Sequence, residues 1–208
     1  MGAVMEDSLF KKHSEFVFQG VTFENHCLFL HVDKCQSIAK AERWLEEHRA
    51  SQMVELLDGE CHVEVPTVAF DAVFVVLHAA QHYGDGLSLK HLCDWTLLAR
   101  QGGVELPVAL NDKYLKRAVA TLTHLCNRYL GLAISTEGGE AMANEMMREI
   151  LHPRYFRKTP PSNPVKAYWW GIRERWHIFR LRHRLLGVSF WGKIAGLCGR
   201  VLKGWWSR

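Results

Sequence analysis

Residues 67–83 constrain this chain more than any other stretch, because they form a helical segment that is apolar on nearly every face. Such a helix must lie among other helices, and its few polar side chains must be paired or face a cavity. Thr67 after Pro66 is a suitable N-cap, Asp71 sits in the early turns where the helix dipole favours an anion, and Gly84 ends the segment. The polar residues are Asp71, His78, Gln81 and His82, and positions 71, 74, 78 and 82 fall along one stripe. A second helix follows the Gly84-Asp85-Gly86 turn, with Ser88 near its start, leucines at 89, 92, 97 and 98, and His91 and Asp94 in its body. Helices joined by so short a loop pack antiparallel, which directs Asp94 towards the histidine stripe.

The remaining elements follow from periodicity and breakers. Residues 14–31 alternate as a β-hairpin turning at Gln19–Gly20, and in its second strand Glu24 and His26 point the same way. A charged helix over 39–49 turns Trp44 and Leu45 inward, and residues 51–65 read as a short extended connection. Beyond Gly102, Gly103 and Pro107, Asn111 or Asp112 caps a long helix over 113–130, and another helix runs over 139–151. Three prolines within Lys158–Pro164 mark a linker. The predicted fold is therefore α+β and mostly α: a hairpin, a helical bundle within residues 1–157, a linker at 158–164, and a basic helical tail over 165–208.

Charge separates the tail from the body. Residues 164–208 hold ten Lys or Arg against Glu174 alone, net +9, leaving 16 bases against 21 acids, net −5, in residues 1–163. Six of the eight tryptophans lie in the same basic segment. Two amphipathic helices, 165–186 and 189–206, present Arg173 and Arg180 in the first and Lys193, Arg200, Lys203 and Trp205 in the second. That composition implies either helices covering the domain's own core or an anionic membrane surface as partner, with nucleic acid less favoured. Six scattered cysteines without a CxxC pair read as reduced thiols, and the first residues lack an apolar signal-peptide core. The expected location is the cytoplasm, with peripheral attachment to the inner membrane face.

Motifs for chemistry are sparse. His78-Ala-Ala-Gln-His82 places two imidazoles on one helical face, able to hold a metal with Asp94 or Asp71. It lacks the glutamate of a metalloprotease helix, and histidines bonded within a core are the commoner case. Zinc is accordingly not expected, and Asp71, His78, His82 and Asp94 read as a polar seam between helices. No Gly-rich phosphate loop or serine-nucleophile elbow occurs.

The order of three segments is more informative. Phe23-Glu-Asn-His26, then His78 and His82, then Leu92-Cys-Asp-Trp95 resembles the uncharacterised nucleotidyltransferase family found beside bacterial surface-polysaccharide genes, over roughly residues 12–135. The resemblance implies transfer of a nucleotidyl group from a nucleoside triphosphate to a sugar-type acceptor. It makes Glu24 the third carboxylate of a Mg²⁺ site, with His26 beside it, and places His78, His82 and Asp94 in the helical half of the cleft. The chain departs from the family in having no Gly-Ser dipeptide and no Asp-x-Asp or Asp-x-Glu pair upstream of Glu24. The hairpin then reads as the remnant of a larger sheet, the chain as the C-terminal two-thirds of such an enzyme, inactive alone unless a partner chain supplies the missing strands.

Overall fold

In the computed structural model, the described residues are 13–18, 20–26, 28–30, 35–49, 51–56, 59, 61–101, 107–156 and 158–189. The first described element is a hairpin, β1 (His13–Phe18) and β2 (Val21–His26), antiparallel and turning at Gly20. Its register sets Glu24 opposite Glu15 and His26 opposite His13. Helix α1 (Gln36–Glu47) follows and buries Ile38, Ala41, Trp44 and Leu45. Glu42, also on its buried side, accepts hydrogen bonds from the backbone N–H groups of Phe29 at 3.0 Å and Leu30 at 2.8 Å. The carboxylate thereby satisfies two donors that have left the sheet and fixes the exit of β2 against α1.

Residues 51–65 are not a simple connection. They form a second antiparallel hairpin, β3 (Ser51–Leu56) and β4 (Cys61–Pro66), whose strands, among the described residues, pair only with each other. Val54, Val63 and Val65 are half-buried while Gln52, Met53, Glu55 and His62 are exposed, the period-two signature of a strand with one covered face. The Asp58-Gly59 dipeptide between the runs is a strong tight-turn signal.

The bundle is built around α2 (Val68–Gln81), which packs against α1, α3 (Leu89–Arg100), α4 (Lys113–Leu130) and α6 (Pro164–Leu186). Its buried residues Phe70, Val73, Val76, Leu77 and Ala80 cover several helical faces, as an all-round apolar helix requires. Thr67 Oγ1 caps it by accepting from Phe70 N–H, and Asp112 caps α4 by accepting from Tyr114 and Leu115 N–H. Helix α5 (Glu140–Leu151) packs on α4 through Ala143, Met146 and Met147.

Asn163 caps α6, with Pro164 as its first residue, so the linker ends where the tail helix starts. The C-terminal half of α6 is core: Phe179, Leu181, Leu185 and Leu186 are buried, and the helix contacts α2 and α4. The boundary at 158–164 is therefore not a break in packing. Among the described residues no helix is long and apolar enough to cross a membrane. The expected last helix, with Lys193, Arg200, Lys203 and Trp205, lies outside the described residues.

Candidate functional site

Antiparallel packing of α2 and α3 brings three histidines together. His78 is in the last turn of α2, His82 is its C-cap, and His91 is the third residue of α3. Their ring centroids lie 4.6 Å (His78 to His82), 5.2 Å (His82 to His91) and 5.7 Å (His78 to His91) apart. One ring nitrogen from each falls within 4.8 Å of the other two, and all three residues are half-buried. Phe74, one turn before His78, stacks on its ring at 5.3 Å and walls one side with an apolar face.

Each end of the trio is set by local backbone structure. After α2 the chain turns through Gly84 and Gly86, and the N–H groups of Asp85 and Leu87 both donate to the His82 carbonyl. The turn brings the Asp85 carbonyl to 3.2 Å from His82 Nδ1. A carbonyl only accepts, so Nδ1 carries the proton and Nε2 presents a lone pair. On α3, Ser88 N–H lies 3.2 Å and Ser88 Oγ 3.0 Å from His91 Nδ1. The amide can donate to Nδ1, or Nδ1–H can donate to the hydroxyl oxygen, so His91 has a partner in either tautomer. Burial lowers the His91 pKa below its usual value, and the neighbouring His82 pushes it the same way. Both effects favour the neutral imidazole at His91, which carries a lone pair.

Helix α6 holds this turn in place. Arg182 pairs with Asp85 at 3.1 Å, and a Cβ added to Gly84 would lie 2.8 Å from Leu181 Cδ1, so glycine permits the contact between turn and helix. Beside the turn is a cleft of about 520 Å³, lined by residues 84–90 and by Glu149, Ile150, Leu151, Pro153 and Phe156.

The other expected residues are placed differently. Asp94 does not complete the stripe: its Oδ2 pairs with Lys90 Nζ at 2.8 Å, and His91 occupies the position expected for it. Asp71 lies seven residues before His78, about 10 Å along the helix axis, too far to share a ligand with the trio. Burial raises its carboxyl pKa. Glu24 and His26 sit at alternate positions of β2, each in register with a residue of the same type on β1.

Arg173 and Arg180 are exposed on α6, beside a band of exposed apolar residues: Val165, Tyr168, Trp169, Ile172 and Trp176, between 37% and 65% accessible. At 3.6 residues per turn these five fall within an arc of about 100°. Lys166, Arg173 and Arg180 flank the arc on one side and Arg175 on the other. The band gives residues to the amphipathic character expected of the first tail helix, and the i, i+3, i+4, i+7 spacing from Val165 carries it.

No family model, curated protein or solved structure matches the chain.

Proposed function

We propose that this chain is the helical portion of a nucleotidyltransferase-like protein. What supports the reading is the fall of the three motif segments onto distinct elements in order: β2 ending in Glu24-Asn-His26, α2 carrying His78 and His82, and α3 carrying Leu92-Cys-Asp-Trp95. The last two pack as one unit, with Leu92 and Trp95 in the core and the histidines at the shared edge. Within this reading Glu24 supplies one carboxylate to Mg²⁺, the remaining carboxylates come from a companion segment, and the acceptor is of sugar type. A two-metal phosphoryl site needs several converging carboxylates, so the chain alone transfers slowly or not at all. Calorimetry with Mg²⁺ and nucleoside triphosphates tests it. Binding that weakens at least tenfold in Glu24→Ala is the expected result; no binding of either ligand, or no effect of the substitution, overturns the reading.

A second reading is favoured by the exposed band on α6: a non-catalytic module that docks on an anionic membrane surface. Half-exposed Trp and Tyr with flanking Arg and Lys suit the headgroup region, and the basic Trp-rich sequence continues beyond it to residue 208. Deleting residues 164–208 is a poor test, because Leu181, Leu185 and Leu186 belong to the core. Exchanging exposed residues is a cleaner one. The full chain is expected to sediment with phosphatidylserine-containing vesicles more than with neutral ones, and Trp169→Ser with Tyr168→Ser is expected to reduce this severalfold. Equal sedimentation of wild type and variant excludes docking through α6.

A further inference from the structure

We infer that His78, His82 and His91 form a three-histidine site for a divalent transition metal of the zinc class, with a water molecule as the fourth ligand. The group does not include Glu24, and the proposal does not depend on nucleotidyl transfer. Neutral imidazoles suit zinc, copper, nickel and cobalt, whereas Mg²⁺ and Ca²⁺ require oxygen donors. The donor set therefore selects a different ion from the Mg²⁺ expected at Glu24.

The geometry needs little adjustment. Ligand nitrogens in a tetrahedral zinc site stand about 3.3–3.5 Å apart, given Zn–N bonds of about 2.0–2.1 Å. Here all three candidate nitrogens are within 4.8 Å of one another. Binding therefore requires the half-buried rings to draw closer together by side-chain rotation. Histidine ligands work best when the other ring nitrogen is held by a hydrogen bond that sets the tautomer. Asp85 carbonyl does this for His82 at 3.2 Å, leaving Nε2 to bind. At His91 the Ser88 N–H lies 3.2 Å from Nδ1 and donates to it, so freeing Nε2 for the metal requires that amide contact to give way to Nδ1–H donation to Ser88 Oγ at 3.0 Å. Arg182 and Leu181 on α6 hold the turn that carries the Asp85 carbonyl, which pre-forms that side of the site. Three protein nitrogens leave one coordination position open, the arrangement of zinc sites that activate water rather than of closed structural ones.

The test uses the full chain stripped with chelator and titrated with Co²⁺ and Zn²⁺. One equivalent is expected to bind, with Co²⁺ giving the visible d–d bands of a tetrahedral site. His78→Ala, His82→Ala and His91→Ala are each expected to weaken binding at least tenfold, while Asp71→Asn leaves it unchanged. Unchanged affinity in His91→Ala overturns the proposal, as does the absence of stoichiometric binding to the wild type. X-ray absorption of the zinc-loaded wild type does not depend on variants that fail to fold. A first shell of nitrogen and oxygen near 2.0 Å with imidazole outer-shell scattering is expected. A sulfur shell near 2.3 Å would assign the metal to cysteines and overturn it.

Discussion

Replacing Trp95 with alanine is expected to lower stability by about 3–5 kcal/mol, because a large side chain fully enclosed between α3 and α4 is lost and its cavity cannot collapse. Trp95 is 1% exposed, and its Nε1–H donates to Thr123 Oγ1 at 3.1 Å. Thr123 is itself buried, so the truncation also leaves a hydroxyl without its donor. For a chain of this length each kcal/mol shifts the melting temperature by roughly 2–4 °C, so a fall of roughly 6–20 °C is anticipated in a thermal melt. Trp95→Phe retains most of the apolar contact and loses the hydrogen bond, costing about 1–2 kcal/mol. A loss below about 1 kcal/mol for Trp95→Ala, measured by urea unfolding, contradicts this packing.

That result bears on how the Leu92-Cys-Asp-Trp95 segment is understood. Leu92 is buried, and its carbonyl accepts from Thr96 Oγ1 at 2.8 Å and from Cys126 Sγ at 3.4 Å, which ties α3 to α4. Cys93 is exposed, and Asp94 pairs with Lys90. The segment is therefore mainly a packing device. The residue of α3 that meets the histidine stripe is His91, one position before it. Its side chain reaches back to Ser88 at the helix start, where it accepts from the Ser88 N–H.

The helices were legible because each combines periodicity with a breaker. Pro66 and Thr67 open α2, Asp112 opens α4, and Gly187 closes α6. The second hairpin was missed for a physical reason. Its strands are short and only one face is half-covered, so apolar contrast across 51–66 is weak, and only Asp58-Gly59 spoke for a turn. The convergence of the histidines was partly legible. Spacing put His78 and His82 on one face, but which residue of α3 would oppose them depends on the rotation of that helix. Four buried residues, Leu92, Trp95, Thr96 and Ala99, set that rotation, turning Asp94 to the edge and His91 inward. Glu42 could not be read at all, since a glutamate in a charged helix gives no hint that it will meet two backbone amides twelve and thirteen residues away.

Gly187→Ala is expected to cost about 2–5 kcal/mol, and Gly131→Ala only about 1–2 kcal/mol, although both glycines end helices in the left-handed region. Gly131 has φ +65° and open space where a Cβ would stand, so alanine there pays only the conformational penalty. Gly187 has φ +69°, and a Cβ would fall inside the van der Waals envelope of the Tyr114 ring. Tyr114 has little freedom to withdraw. Lys113 and Arg117 lie over its ring at 4.9 and 5.4 Å, and Arg117 also donates to the Arg184 carbonyl near the end of α6. Cys35 Sγ contacts the Leu186 carbonyl at 3.2 Å, and His183 Nδ1–H donates to the Val188 carbonyl at 2.8 Å, so the chain at residue 187 is held from several elements. Overpacking against such a fixed neighbour adds about 1–3 kcal/mol to the backbone term. Removing the ring separates the two contributions: in a Tyr114→Ala background, Gly187→Ala should cost about as much as Gly131→Ala. Equal costs for the two glycine substitutions in the wild-type background would show that the ring yields. An unyielding ring makes Gly187 the point at which α6 is locked onto α4, and that lock fixes Leu181 and Arg182 against the turn that orients His82.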